Sequence, residues 1–140
     1  MKLKTLIIDD HSASIALLVS LLVDHCTCLS ATTGQEGIEL FAEAHKSGEP
    51  FDVVLLDILM PDLDGIETLK RIRKIELADR EVQLFGKREG LTRIIMQTSS
   101  DNPQDFMDSY LKGRCNGFIQ KLYSKEEIVE KVLGKGHRFI

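Results

Sequence analysis

Four short apolar segments, each ended by a polar residue that could carry chemistry, constrain the fold of this chain most strongly. They are Leu3–Ile8 before Asp9, Phe51–Leu56 before Asp57, Arg93–Met96 shortly before Thr98, and Gly117–Gln120 before Lys121. Continuous apolar runs of this length suit strands that are buried on both faces, as in a parallel sheet. Cys26–Ala31 is a fifth strand candidate.

Helical patterns fill the intervals between these strands. The predicted helices are Ser12–Asp24, Gln35–Lys46, one starting near Gly65, Pro103–Lys112, and Ser124–Leu133 with a capping box from Ser124 to Glu127. Strand and helix thus alternate five times, which predicts an α/β fold with a doubly wound, five-stranded parallel sheet. No internal repeat interrupts the alternation, so we expect one domain over residues 1–140.

Composition excludes several classes of function. With 43% hydrophobic residues the chain can build a core, which argues against wholesale disorder. Its 18 basic and 22 acidic residues give a net charge of −4, which argues against direct nucleic-acid binding. The longest apolar stretch, Ile15–Val23, is far shorter than the roughly 20 residues of a membrane span. Three cysteines, an odd number, favour a reducing cytoplasmic location over a disulfide scaffold.

The polar residues at the strand ends are the candidate functional site. In an open parallel sheet, ligands bind beyond the carboxyl ends of the strands, where Asp9, Asp10, Asp57, Thr98 and Lys121 would meet. Three carboxylates at one edge repel each other unless a cation shares the site, and Mg²⁺ prefers such oxygen ligands. The lysine and the hydroxyl are phosphate-binding groups. The set predicts a metal-assisted phosphoryl site with an aspartate as nucleophile.

Four motifs together resemble the receiver domains of two-component response regulators. Leu55–Gly65 (LLDILMPDLDG) resembles their phosphoacceptor segment, and the resemblance extends to Ile7–Asp10 (IIDD), Ile94–Ser99 (IIMQTS) and Gly117–Lys121 (GFIQK). It covers essentially the whole chain. It implies a flavodoxin-like (βα)5 receiver fold with strand order 2-1-3-4-5.

The resemblance also implies a ligand set. Asp57 would accept a phosphoryl group from a histidine kinase or a histidine phosphotransfer protein. Asp10 would ligate Mg²⁺ directly, Asp9 would contribute through water or a hydrogen bond, and the backbone carbonyl of Leu59 would complete the protein's share of the metal shell.

The remaining implied roles concern signalling. Lys121 and Thr98 would bind phosphoryl oxygens, and Phe118 would be an aromatic switch that moves inward as Thr98 shifts. Such a domain catalyses its own phosphorylation and dephosphorylation but is not an enzyme acting on a separate substrate. It would regulate a downstream protein by direct contact.

Two segments depart from the family pattern. Leu122 follows Lys121 where receivers usually have proline, so a trans peptide bond is expected there. About ten extra residues lie within 75–92, which either lengthen the third helix as far as Phe85 or form a hairpin. Lys70–Arg93 carries a net charge of +4, so the insertion is either a solvated surface or a partner-docking segment.

The first helix is apolar almost all round. The residues predicted to face the core are Ile15, Leu18, Val19 and Leu22. Leu17 and Leu21 fall outside that stripe, and no charged side chain lies between His11 and Asp24. We therefore form the hypothesis of a homodimer or partner interface through this helix.

Three other functions are compatible with parts of the pattern. A pseudo-receiver would bind partners without phosphorylation, although all the signature residues are present. A haloacid-dehalogenase-like phosphatase would need a second aspartate two residues after Asp57, where Leu59 stands. The chain could also be the receiver portion of a larger regulator.

Overall fold

A computed structural model describes residues 2–58, 60, 63–78, 92–98, 115–121 and 123–134. From residue 3 to residue 98 the described elements alternate between strand and helix, as the sequence predicts, and a further strand and helix follow from residue 117. The elements are β1 Leu3–Ile8, α1 Ser12–Leu22, β2 Cys26–Ala31, α2 Gly34–Lys46, β3 Val53–Asp57, α3 Gly65–Ala78, β4 Arg93–Thr98, β5 Gly117–Gln120 and α4 Lys125–Leu133. The predicted helix at 103–112, both conformations considered for the insertion, Leu59 and Leu122 lie outside the described residues.

The five strands form one sheet in the order β2-β1-β3-β4-β5. All four pairings are parallel. This confirms the predicted strand order. Every residue of the central strand β3 is buried, which explains why its sequence is a continuous apolar run with no alternation.

Each face of the sheet has its own apolar core. On one face, Leu6 and Leu56 pack with α2 and α3 through Phe41 and Leu69. The other core contains Ile7 and Leu55 from the sheet, together with residues of α1 and α4 such as Leu18 and Ile128. Neighbouring residues of a strand point to opposite faces, so the faces of these core residues also indicate the face to which each residue at a strand end points.

Several predicted boundaries and one predicted core residue are corrected by the structure. Strand β3 starts at Val53, two residues later than predicted, and includes Asp57. Strand β4 continues through Thr98. Helix α1 ends at Leu22, and Val19 is 37% exposed, so it does not belong to the fully buried stripe.

Two helices are capped as their sequences indicate. The Ser124 side chain accepts a hydrogen bond from the Glu127 amide, and the Glu127 carboxylate accepts one from the Ser124 amide, which confirms the predicted capping box. Thr33 caps α2 in a similar way by accepting from the Glu36 amide. Among the described helices, none is long and apolar enough to cross a membrane.

A network of polar groups closes the amino ends of β3, β4 and β5. The buried Glu76 carboxylate accepts hydrogen bonds from Arg73 Nη1 and from the Thr92 amide, both at 2.6 Å. Arg73 also donates to the Thr92 carbonyl and to Asn116 Oδ1, both at 2.7 Å. We call Arg73, Glu76, Thr92 and Asn116 the amino-end network. It joins the end of α3 to the start of β4.

Candidate functional site

The predicted carboxylates meet at the carboxyl ends of β1 and β3. These strands are adjacent and parallel, with Ile8 beside Leu56, so the residues that follow them lie side by side. Asp9 is fully buried and Asp57 is 4% exposed. Ligand atoms of Asp9, Asp10, Asp57 and the neighbouring His11 all lie within 4.8 Å of one another. Opposite ligands of an octahedral ion with 2.0–2.1 Å bonds lie about 4.2 Å apart, so the cluster has the dimensions of a small cation site.

Lys121 brings a positive charge to the same carboxylates. Its Nζ lies 3.2 Å from Asp57 Oδ2 and 3.5 Å from Asp9 Oδ2. The backbone holds the lysine there, because the Lys121 amide donates to the Thr98 carbonyl at 2.7 Å. One ammonium group neutralises only part of the charge of three carboxylates, so the cluster still favours a cation.

The two oxygens of Asp9 differ in their hydrogen bonding. Its Oδ1 accepts from the His11 amide at 2.9 Å, whereas its Oδ2 has no hydrogen-bond partner among the described residues. A fully buried carboxylate oxygen without a donor is costly unless a cation or a polar ligand satisfies it. The His11 imidazole, whose Nδ1 lies 3.1 Å from Asp10 Oδ1, is 67% exposed at the start of α1. The donor set therefore fits Mg²⁺.

The Asp64-Gly65 pair of the phosphoacceptor motif has a structural explanation. Asp64 caps α3 by accepting from the Glu67 amide at 2.8 Å. The Gly65 amide donates to the Ile58 carbonyl at 2.7 Å. A Cβ atom at Gly65 would lie 2.2 Å from the Asp57 carbonyl oxygen, so only glycine allows α3 to start this close to the end of β3.

Thr98 and Phe118 lie on neighbouring strands next to the site. Thr98 ends β4 and is 2% exposed. Phe118 pairs with Met96, two residues before Thr98, and packs half-buried against the core shared with α2 and α3. The backbone thus places Thr98 at the carboxyl end of β4, where its carbonyl accepts from the Lys121 amide, and Phe118 on β5, three residues before Lys121. We call the edge formed by Asp9, Asp10, Asp57, Thr98 and Lys121 the carboxyl edge.

Sequence reasoning missed a polar pair beside the site. The Tyr123 hydroxyl donates to Gln97 Oε1 at 3.0 Å, and Gln97 is fully buried. Burial raises the pKa of Tyr123 to about 12, and the negative charges of Asp9 and Asp57 act in the same direction. A signal was present in the sequence, where the polar Gln97 directly follows the apolar run Ile94–Met96.

Comparison with known proteins agrees with this geometry. A family model described as the response regulator receiver domain matches residues 5–133. The transcriptional regulatory protein CpxR homolog of Haemophilus influenzae is 30% identical over 132 residues, covering 92% of this chain and 56% of that protein. The nitrate/nitrite response regulator NarL of Escherichia coli is 28% identical over 128 residues, covering 89% and 50%. The chain therefore spans about half the length of these relatives.

Solved structures show the same fold. The chemotaxis protein CheY4 of Vibrio cholerae matches with a TM-score of 0.73 and 24% identity, covering 94% of this chain and 97% of that one. A co-crystal of the Saccharomyces cerevisiae phosphotransfer protein Ypd1 with the receiver domain of Ssk1 matches with a TM-score of 0.74 and 25% identity, covering 94% and 87%. With a family model that matches nearly the whole chain, this protein belongs to the response regulator receiver domain family.

Proposed function

We propose that the chain is a phosphorylation-activated signalling switch in which Asp57 accepts the phosphoryl group. The observation that carries the proposal is the position of Asp57, whose Oδ2 lies 3.2 Å from Lys121 Nζ and beside the carboxylates of Asp9 and Asp10. A carboxylate nucleophile next to a cation site and an ammonium group is equipped for phosphoryl transfer, where positioning and charge neutralisation supply most of the rate.

The metal in this proposal is Mg²⁺, held by the carboxylates of Asp10 and Asp57 and by the Leu59 backbone carbonyl. Asp9 acts through water or a hydrogen bond. When bound, Mg²⁺ supplies positive charge that offsets the charge of the transferring phosphoryl group. The Oδ2 atom of Asp9, which accepts no hydrogen bond from the described residues, supports this assignment.

The remaining site residues bind the phosphoryl group and transmit its presence. Lys121 Nζ turns from the Asp57 carboxylate to a phosphoryl oxygen, and the Thr98 hydroxyl binds a second oxygen. The shift of Thr98 lets Phe118 move inward, which changes the surface near β4 and β5. This two-state response is how the domain regulates a downstream protein by direct contact, while it catalyses only its own phosphorylation and dephosphorylation.

The proposed phosphoryl donor is a histidine kinase or a histidine phosphotransfer protein in the cytoplasm. Support comes from the family and from the Ssk1 receiver domain, whose co-crystal contains such a phosphotransfer protein. Neither nucleic acid nor membrane is a direct partner in this proposal. The single receiver domain over 1–140 would work alone or as the receiver portion of a larger regulator.

The first helix is the proposed contact surface, and a homodimer through it remains our hypothesis. Leu17 is 53% exposed and Val23 is 52% exposed, whereas Leu21 is partly packed against the core. Leu17→Lys should abolish a dimer formed through this face without unfolding the domain. Sedimentation equilibrium with and without beryllofluoride and Mg²⁺ measures this, and a wild-type protein that is monomeric in both conditions excludes the dimer.

Mass spectrometry after treatment with acetyl phosphate and Mg²⁺ tests the proposed function. The wild-type chain should gain about 80 Da, the mass of one phosphoryl group, and Asp57→Asn should gain nothing. A wild-type protein that stays unmodified favours the pseudo-receiver. Catalytic turnover of small phosphate esters, in place of stoichiometric labelling, favours a phosphatase.

A further inference from the structure

A buried amide lies beside the phosphoacceptor and has an unused donor. Gln97 is fully buried in β4, and its Nε2 has no hydrogen-bond partner among the described residues. Its Oε1 is already occupied by the Tyr123 hydroxyl. Buried amide groups are almost always paired, so an unpaired one next to a functional site calls for a ligand that would satisfy it.

The sheet register shows which group Gln97 faces. In the pairing of β3 with β4, Gln97 lies directly opposite Asp57. Adjacent strands are about 4.8 Å apart, and directly paired residues point to the same face of a sheet. Leu55 and Ile95, two residues earlier on each strand, both belong to the core shared with α1 and α4. Gln97 and Asp57 therefore point to that same face as neighbours.

Tyr123 connects this pair to the last helix. It packs against the core shared with α1 and α4 and directly precedes Ser124, which caps α4. Its phenol lies close enough to Asp9 and Asp57 for both charges to raise its pKa, in addition to the larger effect of burial. A movement of the Gln97 amide would therefore move Tyr123 through their hydrogen bond, and Tyr123 adjoins the start of α4.

We propose that Gln97 is a phosphoryl-binding residue whose amide nitrogen donates to the group on Asp57, and that Tyr123 positions this amide and couples it to α4. The proposal rests on phosphorylation of Asp57, as proposed above. It assigns a role to two residues that do not belong to the carboxyl edge. It also explains why a glutamine and a tyrosine are tolerated in an otherwise apolar core.

Two variants remove the hydrogen bonds with little change in volume. Gln97→Leu removes the amide, and Tyr123→Phe removes only the hydroxyl. Because hydrogen bonds to charged groups are among the stronger ones, Gln97→Leu should slow phosphorylation by acetyl phosphate about tenfold, and Tyr123→Phe should slow it about threefold. Gln35→Leu, on an exposed position of α2, is the matched control and should stay within about twofold of wild type.

A spectroscopic readout separates this role from a purely structural one. The chain has two tyrosines, so the ¹³Cζ signal of Tyr123 is assigned by its loss in Tyr123→Phe. Saturation with beryllofluoride and Mg²⁺ should shift this signal in wild type and leave it in place in Gln97→Leu, while ¹⁹F spectra establish that the site is occupied. If Gln97→Leu does not fold, Gln97→Met replaces it.

The outcomes are distinguishable. A wild-type protein that gains no phosphoryl group counts against the proposed function. If wild type is phosphorylated and Gln97→Leu matches it within about twofold, or if the Tyr123 signal shifts equally in both, the role of Gln97 and Tyr123 is overturned while the proposed function stands.

Discussion

The two ends of the sheet contain carboxylates that are equally buried but differently paired. At the amino end, Glu76 is 1% exposed, and both of its oxygens accept hydrogen bonds at 2.6 Å. At the carboxyl edge, Asp9 is fully buried, yet its Oδ2 accepts no hydrogen bond from the described residues. Burial alone therefore does not identify a functional carboxylate.

The difference lies in what each carboxylate offers to a ligand. Each Glu76 oxygen accepts a hydrogen bond from the protein itself, one from Arg73 and one from the Thr92 amide, which ties α3 to the start of β4. Asp9 shares the charge of Lys121 with Asp57, and Lys121 Nζ lies 3.5 Å from Asp9 Oδ2 without donating a hydrogen bond to it. We infer that the amino-end network is structural and that the carboxyl edge sacrifices stability for function.

The largest expected effect comes from a substitution that breaks the amino-end network. Glu76→Ala removes the acceptor of the Thr92 amide and takes the only carboxylate of this network away from the Arg73 guanidinium, which keeps its hydrogen bonds to the Thr92 carbonyl and Asn116. We expect a loss of about 3–5 kcal/mol in the free energy of unfolding, as found when one partner of a buried ion pair is removed. Urea unfolding monitored by circular dichroism measures this loss.

The same helix provides the control. Arg71 and Glu67 form an ion pair in α3 whose side chains are 49% and 42% exposed. Arg71→Ala should cost less than about 1 kcal/mol, because water solvates both charges when the pair is broken. Equal losses for Arg71→Ala and Glu76→Ala would contradict the structural role of the buried network.

A second substitution disturbs the carboxyl edge by crowding the backbone at the end of β3. Gly65→Ala places a Cβ atom against the Asp57 carbonyl oxygen, so α3 must move away from β3. We expect a loss of about 1–3 kcal/mol in stability and a large loss of phosphorylation. In Gly117→Ala the new Cβ would meet only the Lys131 side chain at 3.8 Å, and both properties should be nearly unchanged. If both variants behave alike, the close approach at Gly65 is not what positions Asp57.

A third substitution should increase stability, whereas the first two decrease it. Asp9→Asn keeps the oxygen that accepts from the His11 amide and removes one negative charge from a cluster with a single lysine. Without divalent cations, we expect the free energy of unfolding to rise by about 1 kcal/mol. If Mg²⁺ binds at this edge as proposed, wild type should be stabilised by Mg²⁺ and Asp9→Asn should not.

Urea unfolding with and without Mg²⁺ measures both effects of Asp9→Asn. Asp52→Asn is the control, since Asp52 is an exposed carboxylate near the amino end of β3 that accepts from the Lys4 amide. It should give no gain in stability and should keep the response to Mg²⁺. An Asp9→Asn protein that is less stable than wild type without metal would show that Asp9 is adequately paired by Lys121.

The sequence predicted the carboxyl edge better than the amino end. Continuous apolar runs imply parallel strands, and parallel strands bring the residues after them to one edge, so the convergence of Asp9, Asp57 and Lys121 followed from local patterns. The amino-end network depends on Arg73 reaching Asn116, 43 residues away, which no local pattern encodes.

The burial and the partners of individual side chains were also not predictable from the sequence. Periodicity predicted Val19 in the core stripe of α1, but the width of the covered face depends on how the helix sits on the sheet, and Val19 is 37% exposed. Gln97 was not predicted as a site residue, because a polar side chain after an apolar run also marks an ordinary strand end. Its partner Tyr123 could not be named before the fold placed them together.

A pH dependence that leaves stability at neutral pH unchanged tests the environment of Tyr123 at the carboxyl edge. Burial and the nearby carboxylates raise the pKa of Tyr123 to about 12 from the usual value of 10. The unfolded chain therefore releases this proton at lower pH than the folded chain does. The contribution of Tyr123 to stability should be constant below pH 10 and should decline as the pH rises from about 10 to 12.

Tyr123→Phe removes this titration and provides the comparison. Burial also raises the pKa of Cys28, to about 11, but that titration is present in both proteins and cancels in the difference. Urea midpoints from pH 8 to about 12 should show a constant difference between wild type and Tyr123→Phe up to pH 10, followed by a relative loss of wild-type stability. A difference that stays constant to pH 12 would mean that the Tyr123 hydroxyl is solvated, and the hydrogen bond to Gln97 would then not hold the amide beside Asp57.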